Sequence, residues 1–109
     1  MKIVTTCQGG HVRSVALKYL LTYKYGHEVL ACGWESNKED TRNMLYEWAD
    51  VIVIMQAEME KYVDPKHHND GERRKLYCYD VGEDVYGNPF HPTLQQSLDH
   101  MIQSHGLFV

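Results

Sequence analysis

No apolar run in this 109-residue chain approaches the ~18 residues that a membrane-spanning helix needs. The opening Met1-Lys2-Ile3-Val4 also lacks the longer apolar core and small-residue cleavage site of a secretory leader. A basic surplus is missing as well. Eleven Lys and Arg against fifteen Asp and Glu leave a net charge of −4, which argues against a general nucleic-acid binder. Cysteine is scarce: Cys7, Cys32 and Cys78 are odd in number and widely spaced. They fit neither a disulfide framework nor a zinc site, and suit a reducing compartment. The seven histidines include the pair His67-His68, but it lies in the polar stretch DPKHHNDGERRK without helical ligand spacing, and reads as a solvated loop. The expectation is one cytoplasmic domain over residues 1–109, with no membrane or nucleic-acid partner.

What is present is a strict alternation of strand and helix signals. Lys2–Thr6 is β-rich, and Leu17, Leu20 and Leu21 give helical spacing within a segment from Val12 to Tyr25 that Gly26 ends. Glu28–Cys32 reads as strand 2. Thr41, Met44, Leu45 and Trp48 mark a second amphipathic helix, and Val51–Met55 is a continuous apolar run, the signature of a strand buried on both faces. A short helix over Ala57–Val63 and a polar loop to Arg74 lead to strand 4 at Lys75–Tyr79. After a turn-rich loop, Pro92 opens a last helix whose buried face is Leu94, Leu98, Met101 and Ile102. Trp48, Cys32 and Cys78 read as core. This pattern predicts an α/β fold of three layers, with a four-stranded parallel sheet in the flavodoxin-like order 2-1-3-4. Ligands of such sheets bind beyond the carboxyl ends of the strands at the switch point, here between strands 1 and 3. The loop after strand 1 opens there, and the loop after strand 4, beginning at Asp80, opens on the same edge.

The loop after strand 1 reads Cys7-Gln8-Gly9-Gly10-His11-Val12-Arg13-Ser14. A tetrahedral dianion needs converging donors, which successive backbone N–H groups and a helix N-terminus supply. Glycines let the backbone approach without a Cβ, and a guanidinium in the first helical turn forks onto two oxygens. The same surroundings stabilise a thiolate, and the Ser14 hydroxyl can donate to it. The five residues between Cys7 and Arg13 are enough to circle one oxyanion, the pattern of a cysteine-dependent phosphatase. The plain alternative is a buried Cys followed by a Gly-rich turn.

This loop resembles that of the low-molecular-weight protein tyrosine phosphatases, whose pattern is Cys-x-Gly-Asn-x-Cys-Arg-Ser. It also fits the dual-specificity pattern Cys-x2-Gly-x2-Arg-Ser/Thr, but there the loop comes late in the chain and the general acid precedes it. Only six residues precede Cys7, so the acid has to come from downstream, the low-molecular-weight arrangement. CGWESNKEDTRNMLYEWADVIVIM and YDVGEDVYGNPFHPTL are similar to the corresponding stretches of small predicted phosphatases in this group. Two positions depart from the family: Gly10 stands for the loop Asn and Val12 for the second loop Cys.

The resemblance implies hydrolysis of phosphotyrosine or small aryl phosphates through a phosphocysteine, without a cofactor. Cys7 is the nucleophile, and Arg13 and the loop from Gln8 through Gly9, Gly10, His11 and Val12 to Ser14 hold phosphate or sulfate. Trp34 and Tyr86 flank the substrate ring. Asp84, in Asp84-Val85-Tyr86, keeps the family's Asp-x-aromatic spacing and is the first choice of general acid, with Glu83 second and Asp80 third. Three other readings stand beside it. They are a non-catalytic phosphate- or phosphoprotein-binding module, an arsenate reductase needing further reactive cysteines, and a sugar-transport phosphocarrier, whose loop has Thr where Arg13 stands.

Overall fold

The computed structural model describes residues 1–109. Strand β1 (Lys2–Cys7) lies at the centre of a parallel sheet, between β2 (Glu28–Gly33) and β3 (Val51–Ile54). Its middle residues Ile3, Val4, Thr5 and Thr6 are all buried, as a strand covered on both faces requires. The fourth strand of this sheet, Leu76–Cys78, pairs with β3 at the far edge, and the sheet runs in the predicted order 2-1-3-4.

Three α-helices accompany the sheet: α1 (Arg13–Tyr19), α2 (Glu39–Trp48) and α3 (Pro92–His105). Adjacent residues of a strand point to opposite faces, and Thr5 and Thr6 show which helix lies where. The Thr5 hydroxyl donates to the Ser14 carbonyl at the start of α1 (2.8 Å). The Thr6 hydroxyl lies instead 3.2 Å from Cys32 Sγ and 3.3 Å from the hydroxyl of Tyr46 on α2. The sheet is therefore a middle layer, and Cys7, two residues beyond Thr5, faces the start of α1. Helix α3 packs on α1, and its Leu94, Leu98 and Ile102 are fully buried. Pro92 opens α3, the His91 Nδ1 accepts from the Thr93 N–H (3.2 Å), and Gly106 at φ +77° closes it.

Several expectations are corrected. The helix expected from Val12 to Tyr25 runs from Arg13 to Lys24, with α1 followed directly by a π-helix at Leu20–Lys24 before Gly26 (φ +76°). The short helix expected over Ala57–Val63 is present, as a 3₁₀ helix at Ala57–Tyr62. The polar stretch before the last strand of the sheet holds a 3₁₀ turn at Pro65–His67 and a two-stranded antiparallel hairpin, β4 (Asn69–Asp70) with β5 (Arg73–Arg74), so the last strand of the sheet is β6 (Leu76–Cys78). His67 is not solvated: it is buried with its ring 5.7 Å from that of Tyr46. The buried residues of α2 are Arg42 and Tyr46, not Thr41 and Met44, and Met44 is 73% exposed. Trp48 is half-buried beneath Lys2 Nζ. Cys78 is exposed, and it lies on β6, an edge strand of the sheet.

Candidate active site

Parallel pairing sets Cys7 level with Gly33, at the carboxyl edge of β1 and β2. Beyond that edge the Cys7–Ser14 loop lies against the segment that follows β2. The contact is close: a Cβ on Gly33 would come within 2.5 Å of Gly9 C and 2.6 Å of Gly10 N. Gly10 sits at φ +74°, and a Cβ there would meet Gly33 N at 2.8 Å. Only glycine satisfies both demands at Gly10, the position where the family pattern has Asn.

The segment after β2 also orients the loop. The Trp34 N–H donates to the Cys7 carbonyl (3.2 Å), the Glu35 N–H to that of Gln8 (3.1 Å), and the Ser36 hydroxyl to that of Gly9 (2.7 Å). In a planar trans peptide the carbonyl and the next N–H point opposite ways. Three successive carbonyls drawn toward residues 34–36 therefore turn the N–H groups of Gln8, Gly9 and Gly10 to the other side. The Gly10 N–H indeed donates to Cys7 Sγ (3.2 Å), and Ser14 Oγ lies 3.0 Å from the same sulfur. The result is a row of backbone donors curled around a buried thiol, a nest suited to an oxyanion.

Arg13 enters this site from the first residue of α1. It is 1% exposed, and its Nη1 donates to Gln56 Oε1 and to the Gly82 carbonyl, both at 2.6 Å. Both acceptors are neutral, and its buried Nε has no acceptor among the protein atoms. A buried cation held only by neutral groups is costly unless an anion meets it. The contact with Gly82 brings the loop after β6 to the loop after β1, as the topology predicts.

The remaining predicted residues are more scattered. The Gln8 side chain turns outward and donates to Glu35 Oε1 (2.7 Å). His11 is exposed and Val12 half-buried against the core. Trp34 is half-buried and stacks on Tyr62, ring centroids 5.1 Å apart and planes 13° from parallel. Asp84 and Glu83 are exposed; Asp84 Oδ1 accepts from the Tyr86 N–H (3.2 Å) and the Gly87 N–H (3.4 Å), closing its own turn. The Tyr86 hydroxyl donates to the Val81 carbonyl (3.0 Å). Asp80 makes two backbone contacts, to Gly82 N–H (2.8 Å) and Ala57 N–H (3.3 Å).

Burial pushes the Cys32 thiol up, against the hydrogen bonds of Thr6 and Tyr46. Burial first, then the charges of Asp80, Glu58 and Glu60, push the Cys78 thiol up to about 11. Neither is an activated nucleophile at neutral pH. Sequence reasoning did not single out Gln56, Gly82, Tyr62, Ser36 or Arg42. Arg42 Nη1 donates to the Trp34 (2.9 Å) and Asn37 (2.6 Å) carbonyls and so fixes the segment that orients the loop.

No protein-family model and no curated protein matches this sequence. Solved structures do match. Vibrio vulnificus Wzb, in complex with benzylphosphonate, superposes with a TM-score of 0.71 at 14% identity, covering 95% of this chain and 95% of Wzb. The YwlE arginine phosphatase from Geobacillus stearothermophilus gives 0.61 at 15% identity, over 96% and 92% of the two chains. A low molecular weight protein tyrosine phosphatase from Bacillus subtilis gives 0.61 at 15% identity, over 97% of each chain. With that likeness spanning nearly the whole of both partners, and the sheet order found above, the chain has the low-molecular-weight protein tyrosine phosphatase fold.

Proposed function

We propose that this protein is a cysteine-dependent phosphatase, hydrolysing phosphotyrosine or small aryl phosphates through a phosphocysteine intermediate. The observation that carries the proposal is the buried Cys7 thiol, which accepts the Gly10 N–H and lies beside the Ser14 hydroxyl, in a loop that Arg13 follows. The benzylphosphonate on Wzb supports an aryl group at this kind of site, and the stacked Trp34–Tyr62 pair offers a flat apolar wall for one.

In the first step a lone pair of the Cys7 thiolate forms the S–P bond. The P–O bond to the leaving oxygen breaks, and that oxygen takes a proton from Asp84. Inward N–H groups and the Arg13 guanidinium hold the three equatorial oxygens as charge shifts between them. In the second step water attacks phosphorus and gives a proton to Asp84. The S–P bond breaks, and the returning thiolate is met by the Ser14 hydroxyl. Inorganic phosphate leaves. A nucleophilic thiol of this kind belongs in a reducing compartment, and we assign the protein to the cytoplasm.

An arsenate reductase would relay electrons through further thiols, and both other thiols of this chain are held in the protonated form. The phosphocarrier reading is opposed by the buried Arg13. The test is p-nitrophenyl phosphate hydrolysis by wild type, Cys7→Ser and Asp84→Ala. Wild type is expected to turn over, Cys7→Ser to fall to background, and Asp84→Ala to lose about 10²-fold or more in rate. A wild type no faster than Cys7→Ser, yet still binding phosphate, gives the binding-module reading instead. A slow Glu83→Ala beside an unaffected Asp84→Ala moves only the acid.

A further inference from the structure

Asp80 is one of three acidic residues that the sequence offers as a proton donor, but its contacts describe another task. Its Oδ1 accepts the Gly82 N–H (2.8 Å), and its Oδ2 accepts the Ala57 N–H (3.3 Å). The two segments held in this way are the ones that hold Arg13. Gly82 gives its N–H to Asp80 and its carbonyl to Arg13 Nη1 (2.6 Å). Gln56, next to Ala57 in the chain, gives its Oε1 to the same Nη1 (2.6 Å). One carboxylate thus ties together both acceptors of the guanidinium, from two loops at different strands of the sheet.

The need for such a tie follows from the parts. An Arg side chain has several rotatable bonds, and orienting its planar fork on an anion demands fixed acceptors behind it. Gly82, at φ +73°, is exposed and has no side chain to anchor it; the residue before it, Val81, packs against the core. Gln56 precedes a 3₁₀ helix whose first N–H groups have no partner within the helix. The Val81 N–H, donating to the Met55 carbonyl (3.2 Å), joins the two segments one residue earlier, and the Asp80 carboxylate, with one oxygen on each backbone, fixes them beyond that point. We propose that Asp80 is a positioning residue for Arg13, aiming the guanidinium at the substrate phosphate through Gly82 and Gln56. The proposal rests on the phosphatase reading above, in which Arg13 binds the phosphoryl oxygens.

Binding of inorganic phosphate, measured by titration calorimetry, tests it. Asp80→Ala is expected to weaken binding about fivefold, the effect of one lost hydrogen-bond anchor, and Asp80→Asn, which keeps an acceptor oxygen, to restore part of this. In an Arg13→Lys background, where no fork remains to be aimed, Asp80→Ala is expected to add little. An equal loss in both backgrounds overturns the proposal, because the effect then bypasses Arg13. Wild-type phosphate affinity in Asp80→Ala overturns it too; if that variant also slows more on poorer leaving groups, Asp80 is the acid. Should Asp80→Ala not fold, Asp80→Asn alone and in the Arg13→Lys background carries the same comparison. A wild type that binds no phosphate removes the phosphatase reading and this one with it, a result distinct from all the others.

Discussion

The nearest atoms to a Cβ placed on Gly33 are backbone atoms of Gly9, Gly10 and Gln8, at 2.5, 2.6 and 2.7 Å. Backbone cannot move aside as a flexible side chain does, so the loop itself would have to shift. Gly33→Ala is therefore expected to destabilise the fold by about 1–3 kcal/mol and to weaken phosphate binding at the same time. Gly9→Ala serves as the contrast, since its new methyl meets only the His11 side chain, at 3.4 Å. Urea unfolding of both variants decides this; equal midpoints would refute the close-approach argument. The residues of the loop itself were legible in the sequence, because Cys7, Gly10, Arg13 and Ser14 act through their own chemistry at a fixed spacing. Gly33, Gln56 and Gly82 were not legible as parts of the site, and Asp80 was legible only as a candidate acid. They act by lacking a side chain or by offering one acceptor to a residue far away in the chain, and no local pattern records that.

At the scale of elements, the strand order followed from alternation alone, since four strand signals separated by helical ones leave few ways to cover a parallel sheet. The face of α2 did not follow. A count of apolar residues chose Thr41, Met44, Leu45 and Trp48, whereas the structure buries Arg42 and Tyr46. Arg42 enters the count as polar, yet its Nη1 donates to the Trp34 and Asn37 carbonyls, which offsets part of the cost of its burial. Met44, scored as core, is 73% exposed. Met44→Lys is accordingly expected to change stability by no more than about 0.5 kcal/mol, while Tyr46→Ala costs about 3 kcal/mol or more. Chemical unfolding of the two variants separates the faces, and a large loss in Met44→Lys would restore the sequence-based one. Cys78 failed for a related reason. An apolar strand reads the same whether it is central or at an edge, and only the fold leaves one side of β6 uncovered.

For the molecule as a whole, His67 is a residue that links stability to pH near neutrality. Burial lowers its pKa below the ordinary 6.5, and the charges of Lys75 and Lys66 add to this, against smaller opposing effects of Glu47 and Asp64. Its Nε2 is buried with no hydrogen-bond partner, and its ring lies against Tyr46, whose hydroxyl touches Thr6 beside the candidate nucleophile. The folded state therefore prefers the neutral imidazole, and the unfolded chain takes up the proton first. It follows that the contribution of His67 is complete above the unfolded pKa and is lost as pH falls through it toward the folded value. His67→Phe keeps an aromatic ring against Tyr46 and removes the titration. Between about pH 7.5 and about pH 5.5 the melting temperature of wild type is expected to fall more than that of His67→Phe, with the two curves converging or crossing on the acid side. Parallel curves over that interval would show that the acid sensitivity of the fold lies in some other group, and that the buried ring serves packing alone.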